Sequence, residues 1–415
     1  MTYAFYFDSS ACSGCKACQA ACKDKHNLPV GILWRRVYEV SGGGWTRRDN
    51  AWVNDVFAYN LSMACNHCAK PICAEVCPAR AITKRADGIV LIDADKCIGC
   101  KYCSWACPYG APQYDDEHGC MTKCTFCFDN IDAGLPPACV AACPLRTLEF
   151  ATESTGKKKA NSVLYVFPVA ENVYPLPQAS LTEPALVIKP HKDAHRANEQ
   201  LAQIANREEV GRSENREYSL VIFTLLAQMA VGSFGVLAAM MWLENNSSRN
   251  LFVVIAPMMV LAMLASFLHL GSPFKAWRAF ANLRSSWLSR EILLATLFAG
   301  ASAFVAVTQW LNMGTPSMQN SFIGATALLG IALIISMANV YRLRTITVWN
   351  TWATPLAFFR AAFVLGALFV GAPIAFIENT GLIGIVLGIG FGVAFVIEVK
   401  NRFVFYASRI KNQSV

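Results

Sequence analysis

Two patterns of apolar residues divide the chain near residue 217. Before that point, short stretches such as Trp34–Val40, Val53–Tyr59 and Gly88–Asp93 predict strands. Met1–Ser10, which has neither a basic start nor an apolar core, predicts a first strand rather than a signal peptide. After that point, apolar runs at about 219–243, 250–270, 291–311, 321–341, 353–376 and 381–399 each come near the ~20 residues that cross a hydrocarbon core. Six in succession, in a chain of mean hydropathy +0.35, predict a multi-pass bundle. Gly384, Gly388 and Gly392 form a ridge of small residues on the last run, read as a packing surface that lets helices approach.

Cysteine usage sharpens the division. Sixteen of the seventeen cysteines fall in four runs before residue 144, and the apolar half has none. The runs are Cys12, Cys15, Cys18, Cys22; Cys65, Cys68, Cys73, Cys77; Cys97, Cys100, Cys103, Cys107; and Cys124, Cys127, Cys139, Cys143. Pro78, Pro108 and Pro144 follow the last cysteine of three of them, the ending of bacterial ferredoxin runs. An odd count without a secretory signal argues against a disulfide framework. Zinc sites separate two Cys-x-x-Cys units by a longer loop, whereas Cys97–Cys107 packs four thiols into eleven residues. The chemistry expected is therefore four [4Fe-4S] clusters.

G-I-V-L-I-D before D-K-C-I-G-C repeats F-Y-F-D-S-S-A-C-S-G-C near the start. A strand feeding a cluster loop is a ferredoxin half-unit, so two double-cluster modules are expected, one interleaved with the other. In such modules the fourth cysteine of a run ligates the partner cluster. The expected sets are Cys12, Cys15, Cys18 with Cys143 (cluster 1); Cys65, Cys68, Cys73 with Cys107 (cluster 2); Cys97, Cys100, Cys103 with Cys77 (cluster 3); and Cys124, Cys127, Cys139 with Cys22 (cluster 4). Cys120 is left over and reads as a buried thiol.

The fold class expected is an α+β ferredoxin-like domain with two interleaved double-cluster modules, then an all-α membrane bundle of about six helices. The boundaries are 1–155 for the cluster domain, 156–216 for a Pro-rich tail and charged linker helix, and 217–415 for the membrane part.

Net charge is +8, and residues 217–415 carry +7 of it, from twelve Lys/Arg against five Glu and no Asp. The remainder is nearly neutral, which offers no basic field for nucleic acid. With six helices, Arg207, Arg212, Arg216, Lys275, Arg278, Arg284, Arg290, Arg342, Arg344, Lys400, Arg402, Arg409 and Lys411 lie on one side, against Arg249 on the other. The positive-inside rule then puts the cluster domain in the cytoplasm.

Clusters joined to a membrane bundle point to exchange with a lipid-soluble quinone. The membrane half has one histidine, His269, so a bis-histidine haem cannot be built within the chain and no haem is expected. Electron tunnelling falls steeply with distance, so the quinone site is expected at the membrane face beneath the cluster domain. His269 at the end of the second run and Glu291 opening the third are candidate bases for the protons of quinol oxidation. Arg278, in the amphipathic segment F-K-A-W-R-A-F-A-N-L-R between them, is a candidate quinol contact. Arg360 has two readings, contact with a quinone carbonyl or an ion pair with Glu398 or Glu291.

The motifs resemble a known family. C-S-G-C-K-A-C-Q-A-A-C-K-D, C-N-H-C-A-K-P-I-C-A-E-V-C-P, C-I-G-C-K-Y-C-S-W-A-C-P-Y-G-A-P-Q-Y and M-T-K-C-T-F-C, with C-V-A-A-C-P-L-R-T-L, resemble the four-cluster subunit of the dimethyl sulfoxide reductase family. H-L-G-S-P (His269–Pro273), V-Y-R-L-R-T-I (Val340–Ile346), W-A-T-P (Trp352–Pro355) and R-F-V-F-Y (Arg402–Tyr406) resemble that family's membrane anchor. The chain looks like a natural fusion of the two. The resemblance implies menaquinol as donor, a separate large molybdopterin subunit reducing a terminal acceptor, and residence in the bacterial inner membrane. It supports His269 as a quinol-site residue. It also implies eight anchor helices rather than six, and in many members a periplasmic cluster domain. The reverse current, from a formate- or sulfur-compound-oxidising partner to quinone, uses the same parts. A third reading is a scaffold that only tethers a catalytic subunit.

Overall fold

The computed structural model describes residues 2–152, 176–196, 218–243, 246–377 and 380–408. The chain forms two compact units that divide near residue 211. Most of the linker helix expected at 191–216 lies outside the described residues, as do Arg207, Arg212, Arg216, Arg409 and Lys411.

In the first unit, β1 (Tyr3–Asp8) is the central strand of a three-stranded sheet. Its alternation turns Phe5 and Phe7 into the core, where Phe5 stacks on Phe126 with ring centroids 4.1 Å apart. Four short hairpins or ladders follow. β2 (Arg36–Gly42) pairs with β5 (Phe57–Met63), Val40 opposite Tyr59. Between them β3 (Trp45–Arg48) and β4 (Ala51–Asn54) make a fully exposed hairpin. The stretch Val53–Tyr59, expected as one strand, is therefore two. The break falls at Asp55, whose amide donates to Gly44 O and whose Oδ1 accepts from the Gly44 amide. β6 (Ile82–Lys84) pairs with β7 (Val90–Ile92), and β8 (Gln113–Asp115) with β9 (Cys120–Thr122).

β10 (Leu148–Thr152) joins one side of β1 antiparallel. The described part of the Pro-rich tail joins the other, β11 (Leu186–Lys189) running parallel to it. On the way, this tail segment receives the amides of Ala69 and Lys70 and donates from Ala185 to Asn66 O. It thus clips the second cysteine loop to the sheet. Short helices follow the cysteine loops: α1 (Ala17–Lys25) carries Cys18 and Cys22, α2 (Ile72–Val76) Cys73, α3 (Tyr102–Ala106) Cys103 and α5 (Ala138–Ala141) Cys139, while α4 (Phe128–Asp132) starts directly after Cys127.

The second unit is all-helical. α6 (Tyr218–Trp242) is followed by a 3-10 segment, Asn246–Val254, leading into α7 (Ile255–Phe267). A second 3-10 segment, Pro273–Asn282, precedes α8 (Trp287–Trp310), α9 (Pro316–Tyr341), α10 (Ala353–Ile377) and α11 (Gly381–Ser408). Ser286 caps α8 by accepting the Ser289 amide, and Thr315 caps α9 ahead of Pro316 at the first helical position. Among the described residues six helices are long and apolar enough to cross a membrane, with best-window mean hydropathies of 1.8 to 2.5. That is two fewer than the resemblance implied.

α6 packs most closely against α10. The contact is made by Gly232 and Gly366, since a Cβ on Gly366 would lie 2.2 Å from Gly232 C. The ridge expected on α11 is not the close approach. A Cβ on Gly388 or Gly392 meets nothing within 4 Å, and one on Gly384 meets only the Phe376 ring. Small residues at helical spacing permit a contact, but a facing small residue is what realises it.

Candidate redox sites

The first and third cysteine runs share one backbone device. In C-S-G-C-K and C-I-G-C-K, the Gly and the Lys adopt left-handed conformations, with φ of 71° and 61° at Gly14 and Lys16 and 69° and 60° at Gly99 and Lys101. The alternation of hand curls each loop so that successive thiols face one space. Glycine takes this conformation freely, and the lysines take it at some cost. His67, Phe126 and Cys127 play the same part in the other two runs.

Three cavities result, each lined by three cysteines of one run and the last cysteine of another. Cys12, Cys15, Cys18 and Cys143 line the first. Cys65, Cys68, Cys73 and Cys107 line the second. Cys97, Cys100, Cys103 and Cys77 line the third. Pro144, Pro108 and Pro78 line the same three cavities, so each Cys-Pro ending closes another run's site. The remaining four thiols also cluster, because Cys22 is within electrostatic reach of Cys139 and Cys127, and Cys124 of Cys22 and Cys139. α1, which carries Cys22, packs on α5, which carries Cys139. Cys120 lies buried on β9 and lines none of the three cavities.

The sets form a line. Cys18 of the first is near Cys139 of the fourth, Cys124 of the fourth near Cys65 of the second, and Cys73 of the second near Cys103 of the third.

The donor chemistry fits a polynuclear cluster. Among the described residues no group of three or more His, Cys, Asp or Glu converges as a single ion requires, while three of the quartets are each spread around a cavity. Burial pushes the Cys22, Cys68 and Cys100 thiols up to about 12 and Cys107 to about 11. Such thiols ionise when a metal takes the proton's place. Donors wait for the resulting charge. The Ala81 amide donates to Cys77 Sγ at 3.3 Å, the Met121 amide to Cys97 Sγ at 3.4 Å and the Phe126 amide to Cys124 Sγ at 3.4 Å. His26 Nε2 lies 3.2 Å from Cys127 Sγ, and Ser62 Oγ 3.3 Å from Cys18 Sγ. Two cations, Arg35 and Lys123, are buried among the thiols. None of His26, Arg35, Ser62 or Lys123 stood out in the sequence; His26 follows Cys22 by four positions, and that proximity was the available signal.

In the membrane unit the four candidates separate. His269 follows the end of α7, half-buried. Glu291 is buried in the first turns of α8 at 3 % exposure, with no hydrogen-bond partner for Oε1. It lies within electrostatic reach of the Tyr341 and Tyr406 hydroxyls, which are 2.7 Å apart. Arg402 stands over the Phe358 ring at 4.2 Å and donates to Gln228 Oε1 at 2.8 Å, continuing this buried polar group across four helices. Arg360 is paired with Glu398 at 2.6 Å, the ion-pair alternative of its two readings. Arg278 lies over the Trp277 ring in the 3-10 segment.

The cysteine pattern has relatives. Over 208 residues, half of this chain and 98% of the relative, it is 46% identical to a component of the anaerobic dimethyl sulfoxide reductase of Escherichia coli (strain K12). The protein belongs to that family. The equivalent component of the anaerobic dimethyl sulfoxide reductase of Haemophilus influenzae is 44% identical with the same coverage. A formate dehydrogenase iron-sulfur subunit of Wolinella succinogenes is 39% identical over 35% of this chain and 78% of the relative. Residues 56–153 match the 4Fe-4S dicluster domain, and residues 212–399 the DMSO reductase anchor subunit (DmsC). The chain is thus a fusion of an iron–sulfur electron-transfer subunit of the dimethyl sulfoxide reductase family with its membrane anchor, and a multi-pass membrane protein.

Proposed function

We propose that the chain oxidises menaquinol at its membrane unit and passes the electrons to a separate molybdopterin subunit that reduces a terminal acceptor. The carrying observation is the continuous line of four thiol sets, first to fourth to second to third. When bound there, [4Fe-4S] clusters supply one-electron carriers within tunnelling distance of one another. The sixteen cysteines hold them, in the sets surrounding the three cavities together with Cys22, Cys124, Cys127 and Cys139. At the quinol, Glu291 and His269 take the released protons, and Tyr341, Tyr406 and Arg402 keep the surroundings of Glu291 polar. Arg360 serves the bundle through Glu398. Arg278 sits at the interface and contacts the quinol headgroup.

The membrane is the bacterial inner membrane. The basic residues Lys275, Arg278, Arg284, Arg290, Arg342 and Arg344 favour a cytoplasmic cluster domain. A twin-arginine signal on the molybdopterin partner would reverse that side.

The opposite current has one specific support, the match to a formate dehydrogenase iron-sulfur subunit and, at 39% identity, to a component of the sulfite dehydrogenase of Allochromatium vinosum. The test uses native membranes containing the whole complex. A menaquinol analogue should reduce the clusters in the unsubstituted protein. With Glu291→Gln or His269→Ala, reduction should slow at least tenfold, while dithionite still reduces every cluster. Unchanged menaquinol reduction in both variants overturns the site, and clusters that menaquinol cannot reduce but menaquinone can oxidise reverse the direction.

A further inference from the structure

Arg35 is 2 % exposed, immediately before β2. Its Nη1 donates to Ser62 O at 3.3 Å and to Ser62 Oγ at 3.2 Å, and its guanidinium lies over the Phe5 ring at 4.5 Å. Nε and Nη2 are buried with no acceptor from the protein. Among the described residues no carboxylate pairs with it. An isolated buried cation is costly, so a counter-charge must be close. The groups within electrostatic reach that would carry negative charge on binding a metal are the thiols of Cys139, Cys124, Cys18 and Cys22, of the fourth and first sets.

The hydrogen bonds carry direction as well as charge. Because Arg35 donates to Ser62 Oγ, the Ser62 hydroxyl proton is left to point at Cys18 Sγ, 3.3 Å away. On the other side, the guanidinium lies within electrostatic reach of Cys139, Cys124 and Cys22 of the fourth set. One residue therefore supports a ligand of the first set through a serine and bears on the fourth set through its buried positive charge. Donors to ligand sulfurs and nearby positive charge favour the more reduced, more negative cluster.

We propose that Arg35 is a positioning residue that raises the reduction potentials of the first and fourth clusters together, the first through Ser62. The proposal rests on the four-cluster reading above, and deepens it by naming what distinguishes these two carriers from the rest.

The experiment is an EPR-monitored redox titration of the complex in native membranes, with Arg35→Gln, Arg35→Lys and Ser62→Ala. The affected signals are assigned with Cys18→Ser and Cys22→Ser. Arg35→Gln should lower two of the four midpoint potentials, Ser62→Ala only the one assigned with Cys18, and Arg35→Lys should restore most of both shifts. Four retained clusters with unmoved potentials in Arg35→Gln overturn the proposal, as do four potentials falling together. Should Arg35→Gln lose clusters, Ser62→Ala decides, and an unmoved Cys18-assigned potential overturns it. A cluster count other than four in the unsubstituted protein would refute the four-cluster reading instead.

Discussion

Gly232 and Gly366 bring the backbones of α6 and α10 so close that a Cβ on Gly232 would lie 1.8 Å from the carbonyl oxygen of Ala362. Gly232→Ala or Gly366→Ala must push two helices apart, because the obstruction is backbone rather than a movable side chain. Overpacking costs roughly 1–3 kcal/mol, and more where nothing can yield. Thermal unfolding in mild detergent should show a lower midpoint for either variant. Gly388→Ala is the control and should be neutral, since its Cβ enters open space.

Cys107 lies in the third run but lines the cavity of the second. Cys107→Ser should therefore alter the EPR signal and potential of the cluster that Cys65→Ser also alters, and spare the one altered by Cys97→Ser. The reciprocal experiment uses Cys77→Ser, which should group with Cys97, Cys100 and Cys103.

The Arg360–Glu398 pair predicts non-additivity. Removing Arg360 strands the buried Glu398 carboxylate in the apolar bundle, and removing Glu398 leaves the more exposed Arg360 without its partner, while removing both leaves neither charge. Arg360→Gln and Glu398→Gln should each destabilise, and the double variant should be less costly than their sum by roughly 0.5–3 kcal/mol. Quinol oxidation should follow stability rather than fall selectively.

Asp8 ties the tail to the sheet. Its Oδ2 accepts from Lys189 Nζ at 2.8 Å, and its Oδ1 from the Ser10 amide at 2.9 Å. Burial would raise its pKa, but the Lys189 and Ser10 hydrogen bonds outweigh burial and hold it below the ordinary value of 3.8. A depressed carboxylate stabilises the fold above its unfolded pKa, and that contribution disappears as pH falls through the folded one. Asp8→Asn should accelerate amide exchange at Leu186–Lys189 at pH 5 to 7, and the difference should begin to shrink only below about pH 4 and vanish once pH has fallen through the still lower folded pKa. Lys189 is largely exposed, so the effect is at most about 1 kcal/mol.

Legibility tracked the range of the signal. The cysteine loops and six helices announce themselves within short consecutive stretches, as the eleven residues of Cys97–Cys107 and the twenty-six of Pro316–Tyr341 do. Relations across the chain do not. Arg35 reads as one half of an ordinary basic pair until the fold closes four thiols around it. Nothing local marks Gly232 and Gly366 as facing each other, while the more regular Gly384, Gly388 and Gly392 attracted the packing role. The pairing of Tyr341 with Tyr406 joins two helices that neither period nor composition relates.

The interleaving of the thiol sets also bears on biogenesis. Every cysteine of the second and third cavities lies between Cys65 and Cys107, so both can close as soon as that stretch has left the ribosome. The first cavity has Cys12, Cys15 and Cys18 ready from the beginning, yet waits for Cys143. An inner pair is finished while an outer pair stands open. Iron–sulfur delivery to the growing polypeptide thus inherits an order from the nesting, and a truncation before residue 143 strands the earliest-made thiols without a fourth.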